Sequence, residues 1–148
     1  MHRTVDLKAL YFGTPVVLLS TRNGDGTANL APMSSAWWLG NACVLGMGVS
    51  SRTSANLLRE RECVVNLVPS TLVDAVDRIA LLTGEPEVPP HKIRRGYTYE
   101  PDKFGAAGLT SEPSQLVRPR GCGRARSSSR ARWRRPTRSA RTWRTPSR

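Results

Sequence analysis

The chain has 148 residues, enough for one domain with a hydrophobic core. Its net charge of +12 is unevenly placed: residues 1–117 hold 11 basic and 11 acidic side chains, whereas residues 118–148 hold 12 arginines and no acid. The net positive charge therefore lies in the tail, and the domain before it is neutral overall. No apolar run reaches membrane-spanning length and no signal peptide is evident at the N-terminus, so we expect a cytoplasmic protein.

The first half of the chain predicts strands joined by turns. Thr14–Thr21 is short, apolar and β-branched, which is typical of a buried strand. The Asn-Gly and Asp-Gly pairs that follow predict a hairpin. Thr27–Leu39 predicts a second extended segment, and Pro32 indicates an edge or bulge because proline cannot donate a ladder hydrogen bond. Ala42–Ser50 predicts a third strand.

Helices enter in the second half. A short amphipathic helix is expected to begin at a cap formed by Ser51 or Thr53. Its apolar face would comprise Ala55, Leu57 and Leu58. Cys63–Pro69 predicts a fourth strand, Ser70–Gly84 a longer helix, and Asp102–Ala107 a short one. The apolar face of the longer helix would comprise Leu72, Val73, Val76, Ile79 and Ala80. This order predicts a mainly β, α+β fold of the small-barrel kind.

Two polar segments are candidates for a ligand site. Ser34 and Ser35 follow the proline-interrupted strand, and Ser51–Thr53 stands at a helix start. A helix N-terminus binds phosphate through its free N–H groups and its dipole, and Arg52 could add bidentate hydrogen bonds. The alternative is that Ser51 or Thr53 only caps the helix and that Arg52 is solvated. Metal-ligand spacing is missing, and the three cysteines are expected to be free, buried thiols.

The motif order resembles the flavin reductase-like family of FMN-binding split barrels. The resemblance runs from about Thr14 to Val117 through "PVVLLSTRNGDGTANLAPMSSAWWL", "CVLGMGVSSRTSANLLRERECVVNL" and "DKFGAAGLTSEPSQLV". It implies an FMN-binding oxidoreductase that transfers hydride from NAD(P)H to flavin, with no dedicated catalytic residue because the protein mainly positions the two rings. It also implies a homodimer with flavin at the subunit interface, and reduced flavin that either acts on a bound substrate or passes to a monooxygenase component.

The same resemblance assigns cofactor-binding residues. The phosphate would lie at Arg52 and Thr53, with Ser50, Ser51 and Asn56 beside them. The isoalloxazine ring would be lined by Asn29, Met33, Ser34 and Ser35. No metal site is expected.

The tail allows several interpretations. It could be a basic arm that binds nucleic acid, with Trp133 and Trp143 stacking on bases, or a disordered extension. Its Arg, Ala, Pro, Ser, Thr, Gly and Trp content is also typical of a GC-rich gene read out of frame. Back-translation of Arg126–Arg148 with GC-rich codons, shifted one nucleotide upstream, gives "VQLEGAVEAAHPLGEDVAHPVA".

The sequence therefore predicts two regions. Residues 1–117 would form the N-terminal portion of a split barrel that is incomplete at its C-terminal end. Residues 118–148 would be a disordered, frameshifted tail. The alternative functions are a nucleic-acid-binding protein that acts through the tail and a flavin-binding module without turnover.

Overall fold

The computed structural model of the chain describes residues 15–39, 42–123, 127–133 and 142–144. The strands of these segments, in chain order, are β1 (Val17–Arg22), β2 (Ala28–Met33), β3 (Ala36–Leu39), β4 (Ala42–Leu45), β5 (Glu62–Leu67), β6 (Leu82–Thr83), β7 (Thr98–Tyr99), β8 (Ser111–Glu112), β9 (Gly121–Cys122), β10 (Ser127–Trp133) and β11 (Thr142–Arg144). The helices are α1 (Arg52–Glu60), α2 (Val73–Ile79), α3 (Pro90–Ile93) and α4 (Lys103–Ala107).

Seven of the described strands form one antiparallel sheet in the order β2-β1-β5-β10-β11-β4-β3. The predicted β1–β2 hairpin is confirmed: Arg22 pairs with Ala28, and Gly26 adopts a φ of 90° in the turn. Pro32 lies on β2 at the edge of the sheet, as its missing N–H requires. The barrel is not closed, because β2 and β3 do not pair within the described segments.

Strand β1 lies between two hydrophobic clusters, which explains its continuous apolar sequence. Successive side chains of a strand point to opposite faces. Val17 and Leu19 therefore pack into one cluster with Cys63, while Leu18 packs into the other with Ile79. All five of these side chains are at most 1% exposed. The sheet thus carries packed layers on both faces at its centre.

The predicted second extended segment is divided in two. Strand β2 ends at Met33 and β3 begins at Ala36, so Ser34 and Ser35 form the link between them. The third strand is also shorter than predicted, because β4 ends at Leu45 and the chain then runs as a loop into α1. Both differences arise where the chain borders the cavity described below.

The apolar faces predicted for two helices are only partly right. Helix α1 buries Leu57, but Leu58 is 50% exposed and Ala55 is also exposed. Its remaining buried residues are Thr53, Ser54 and Asn56, which hydrogen-bond to neighbouring groups. In the Ser70–Gly84 segment the buried apolar residues are Leu72, Ala75 and Ile79, whereas Val73 and Ala80 are exposed. That helix ends at Ile79, because β6 then pairs in parallel with β7.

Three parts of the tail, β9, β10 and β11, are paired strands in the structure, whereas the sequence predicted disorder over residues 118–148. In β10, Ser127 pairs with Leu67, and in β11, Thr142 pairs with Val44. Strands β5 and β4 would otherwise leave N–H and C=O groups unpaired, and backbone pairing does not require an apolar sequence. Strand β10 occupies the positions of the segment "VQLEGAV" in the shifted frame. The frameshift itself stays a prediction, and the stacking roles proposed for Trp133 and Trp143 concern side chains outside the described residues.

Candidate functional site

A cavity of about 410 Å³ lies where the β2–β3 link, the loop after β4, the start of α1 and helix α3 come together. Seven of the nine predicted cofactor-binding residues line it: Met33, Ser34, Ser35, Ser50, Ser51, Arg52 and Thr53. Met33 and Met47 give one part of the wall an apolar character, and the serines add hydroxyl groups. Two segments that are distant in sequence therefore form one site.

Ser51 caps the N-terminus of α1, as predicted. Its backbone is extended, with φ −85° and ψ 150°, and its Oγ accepts a hydrogen bond from Ser54 N at 3.1 Å. Ser54 Oγ donates to Gly48 O at 2.7 Å, which joins the loop to the helix. The positive end of the α1 dipole consequently borders the cavity, where it favours an anion.

Arg52 is already held by protein groups. Its Nε donates to Gly84 O at 3.0 Å, and its Nη2 donates to Glu85 Oε1 at 3.0 Å. The Nε–Nη2 edge that would bind a phosphate in bidentate fashion is therefore occupied. Arg52 connects α1 to the loop at Gly84 and contributes positive charge to the cavity wall.

Asn29 and Asn56 do not line this cavity. Asn29 is 1% exposed; its Nδ2 donates to Thr21 Oγ1 at 3.0 Å and to Thr53 Oγ1 at 3.1 Å, whereas its Oδ1 has no hydrogen-bond partner among the described residues. Asn29 borders an adjacent cavity of about 520 Å³. Asn56 is fully buried and donates to Thr21 Oγ1 and to Asn23 Oδ1. Asn56 thus joins α1 to β1, and a ligand would reach it only by breaking these bonds.

Sequence reasoning missed the basic wall of the cavity. Besides Arg52, it consists of Lys92, Arg95, Lys103 and the exposed His91. The part of the lining that the structure describes contains no Asp or Glu. Lys92 Nζ and Arg95 Cζ lie 5.9 Å and 6.0 Å from the centre of the Tyr97 ring, a cation–π distance. The cluster of basic residues in "HKIRR" could have indicated this wall, but the sequence predicts a loop there and does not predict the short helix α3.

Lys103 is the most unusual member of this wall. It is 4% exposed, although lysine is almost never buried without a partner. Burial, together with the positive charges of Lys92 and Arg52, lowers the pKa of Lys103 to about 8. Among the described residues, no carboxylate lies within ion-pair distance of its Nζ.

The cysteines are free and buried, as predicted. Burial raises the pKa of Cys43 to about 11 and that of Cys122 to about 12. Burial also raises the pKa of Cys63. None of the three lines the cavity, and at neutral pH they are thiols and not nucleophilic thiolates.

Comparisons with known proteins address the fold. No family model matches the chain. It is 45% identical over 112 residues to the uncharacterised protein YdfE of Bacillus subtilis strain 168, covering 76% of this chain but only 54% of that relative. The chain thus spans about half the length of the curated relative it matches.

Solved structures resemble the chain over most of its length. Flavoredoxin of Desulfovibrio vulgaris (Miyazaki F) superimposes with a TM-score of 0.78 at 16% identity, covering 98% of this chain and 73% of that one. Component B of nitrilotriacetate monooxygenase from Bacillus cereus superimposes with a TM-score of 0.67 at 19% identity, covering 90% of this chain and 68% of that one.

No helix in the described segments has the length and hydropathy to cross a membrane. The chain has the split-barrel fold of the flavin reductase-like FMN-binding proteins.

Proposed function

We propose that the protein is an FMN-binding oxidoreductase of the flavin reductase type that accepts hydride from NAD(P)H. The observation that carries the proposal is the 410 Å³ cavity, which joins an apolar and hydroxyl-bearing wall to a basic wall. An FMN molecule has the same two-part character, with a flat, largely apolar ring and a phosphate dianion. The shared fold with flavin reductases supports the same ligand.

The residues present fit this cofactor. The cations of Lys92, Arg95 and Lys103 would neutralise the phosphate, and the start of α1 would add its dipole. Met33 and Met47 offer polarisable, apolar contact for the ring, while Ser34 and Ser35 offer hydrogen bonds to its polar edge. When bound, FMN would supply the hydride-accepting centre of the reaction.

The chain's own part in the reaction is positioning. Arg52 holds the Gly84 loop against α1, and Ser51 with Ser54 fixes the loop before that helix. Burial and these bonds keep the walls of the cavity in place. Because hydride transfer requires no proton relay from the protein, we assign no catalytic residue.

The proposal extends to the assembly. We propose a homodimer, supported by Trp37 on edge strand β3, which is 51% exposed, and by Val49 near the cavity, which is 77% exposed. The reduced flavin would serve either a bound substrate or a separate monooxygenase component.

Flavin binding is the first test. FMN is titrated into the purified protein and the quenching of flavin fluorescence is followed, and the complex is then mixed anaerobically with NADH or NADPH. We expect binding and bleaching of the flavin absorbance with one of the two donors. Arg52→Ala should weaken FMN binding about tenfold, because the variant loses a cavity cation and the anchor of the Gly84 loop.

A matched control keeps the net charge change the same. Arg94 is exposed and does not line the cavity, so Arg94→Ala should bind FMN like the wild type. Equal affinity in Arg52→Ala and wild type would refute the assigned role of Arg52. Flavin binding without bleaching by either donor would favour a binding module without turnover.

A further inference from the structure

We propose that Lys103 is the buried cation that neutralises the ligand's phosphate, and that the protein binds this phosphate together with a proton when Lys103 is neutral. This inference rests on the proposed flavin site and names the group that selects for a phosphorylated ligand. The family resemblance assigned the phosphate to Arg52 and Thr53 instead. In the structure, Arg52 hydrogen-bonds to Gly84 and Glu85, whereas the Lys103 side chain forms no hydrogen bond or ion pair with any described group.

Lys103 is tightly packed against Gly84 on one side and borders the main cavity on the other. A β-carbon built on Gly84 would lie 3.5 Å from Lys103 Nζ, 2.7 Å from Asn29 Oδ1 and 3.2 Å from Arg52 Cγ. Gly84 therefore has no room for a side chain, and its backbone packs closely between the Lys103 ammonium and the Asn29 Oδ1, so a ligand can approach Lys103 only from the main cavity. Lys103 also lines the main cavity, so its ammonium group can reach a ligand there.

The charged groups around Lys103 do not compensate its charge. Arg52 of α1 and Lys92 of α3 are both cations and oppose its protonation. Asp102, next to it in sequence, accepts from Gly105 N. On α2, Arg78 donates to Ala107 O at the other end of α4. A buried cation without a counter-ion is costly, and a bound phosphate would remove that cost.

The pH dependence of binding follows from this arrangement. The pKa of Lys103 is lowered to about 8, so below pH 8 the free protein already carries the proton and the phosphate meets a full ammonium. Above pH 8 the free protein must take up a proton as the phosphate binds. By linkage, the affinity should then fall toward tenfold per pH unit until the pKa of Lys103 in the complex is reached.

The experiment compares FMN with riboflavin, which lacks only the phosphate. Dissociation constants for both are measured by fluorescence quenching from about pH 6.5 to about pH 9.5 for wild type, Lys103→Met and Arg94→Ala. Methionine keeps the buried stem but removes the charge. We expect Lys103→Met to bind FMN about tenfold to a hundredfold more weakly than the wild type below pH 8. The FMN affinity of this variant should no longer fall as the pH rises above 8. Its riboflavin affinity should be unchanged, and Arg94→Ala should behave like the wild type.

Three outcomes overturn the inference: Lys103→Met binds FMN like the wild type, it loses riboflavin and FMN affinity equally, or wild-type affinity for FMN is flat across pH 8. Urea unfolding of Lys103→Met and of Lys103→Gln checks that the variants fold. If the wild type binds neither flavin, the proposed function fails, and inorganic phosphate then decides the role of Lys103. A rise in wild-type Tm with phosphate that is absent in Lys103→Met supports the role, and no rise in the wild type refutes it.

Discussion

Replacing Gly84 by alanine tests the packing beneath the cavity. The added Cβ would lie 2.7 Å from Asn29 Oδ1 and 3.2 Å from Arg52 Cγ, so at least one of these groups must move. Asn29 cannot move freely, because its amide is held by Thr21 and Thr53 in a fully buried position. The φ of Gly84 is not positive, so the substitution causes no backbone strain of its own.

The expected cost can be worked out from these contacts. Overpacking of a well-packed site costs about 1–3 kcal/mol, and weakening one Asn29 hydrogen bond adds about 1 kcal/mol. The lower chain entropy of alanine in the unfolded state offsets about 0.4–1 kcal/mol. We therefore expect Gly84→Ala to lose about 1–3 kcal/mol of unfolding free energy, measured by urea denaturation at an unchanged m-value.

Gly48→Ala is the matched control. Gly48 has no atom within 4 Å of an added Cβ and no positive φ, so alanine should leave the free energy of unfolding unchanged or slightly raise it. If Gly84→Ala unfolds at the same urea concentration as Gly48→Ala and wild type, the contacts assigned to Asn29 and Arg52 are not those of the folded protein.

Three further predictions concern the core, the thiols and the tail. Asn66→Ala should lose roughly 2–4 kcal/mol of unfolding free energy, because its buried amide donates to a β1 carbonyl at 2.8 Å and accepts from Cys122 N at 2.9 Å; an unchanged urea midpoint would contradict this. A thiol reagent at about pH 8 should leave Cys43, Cys63 and Cys122 unmodified in the native protein, since burial raises the pKa of each, and should modify all three after unfolding. Modification is measured by mass spectrometry, and rapid modification of the native protein would refute the burial of the thiols. Independent sequencing of the coding DNA for residues 115–148 should show a neighbouring reading frame that is open and encodes acidic and alternating apolar residues. A closed neighbouring frame would exclude the frameshift. Replacing Ser127–Trp133 by "VQLEGAV" should raise the midpoint of urea unfolding.

Local sequence signals were sufficient for the elements that depend on neighbouring residues. The Asn-Gly and Asp-Gly pairs predicted the β1–β2 hairpin, and the serine before α1 predicted its cap, because both structures are set by the conformations of a few adjacent residues. The short helix predicted over Asp102–Ala107 corresponds to α4, and in the structure the Asp102 side chain caps it. The family resemblance added seven of the residues that line the cavity.

The tertiary structure decided which side chains of these elements are buried and which border the cavity. Periodicity favoured Leu58 for the buried face of α1, but Asn56 is buried instead because Thr21 on a distant strand pairs with its amide. Arg52 donates hydrogen bonds to Gly84 and Glu85, more than thirty residues away, and Lys103 is buried beside the cavity. Such contacts join segments far apart in sequence, and the burial that makes them strong exists only once the sheet and helices have packed.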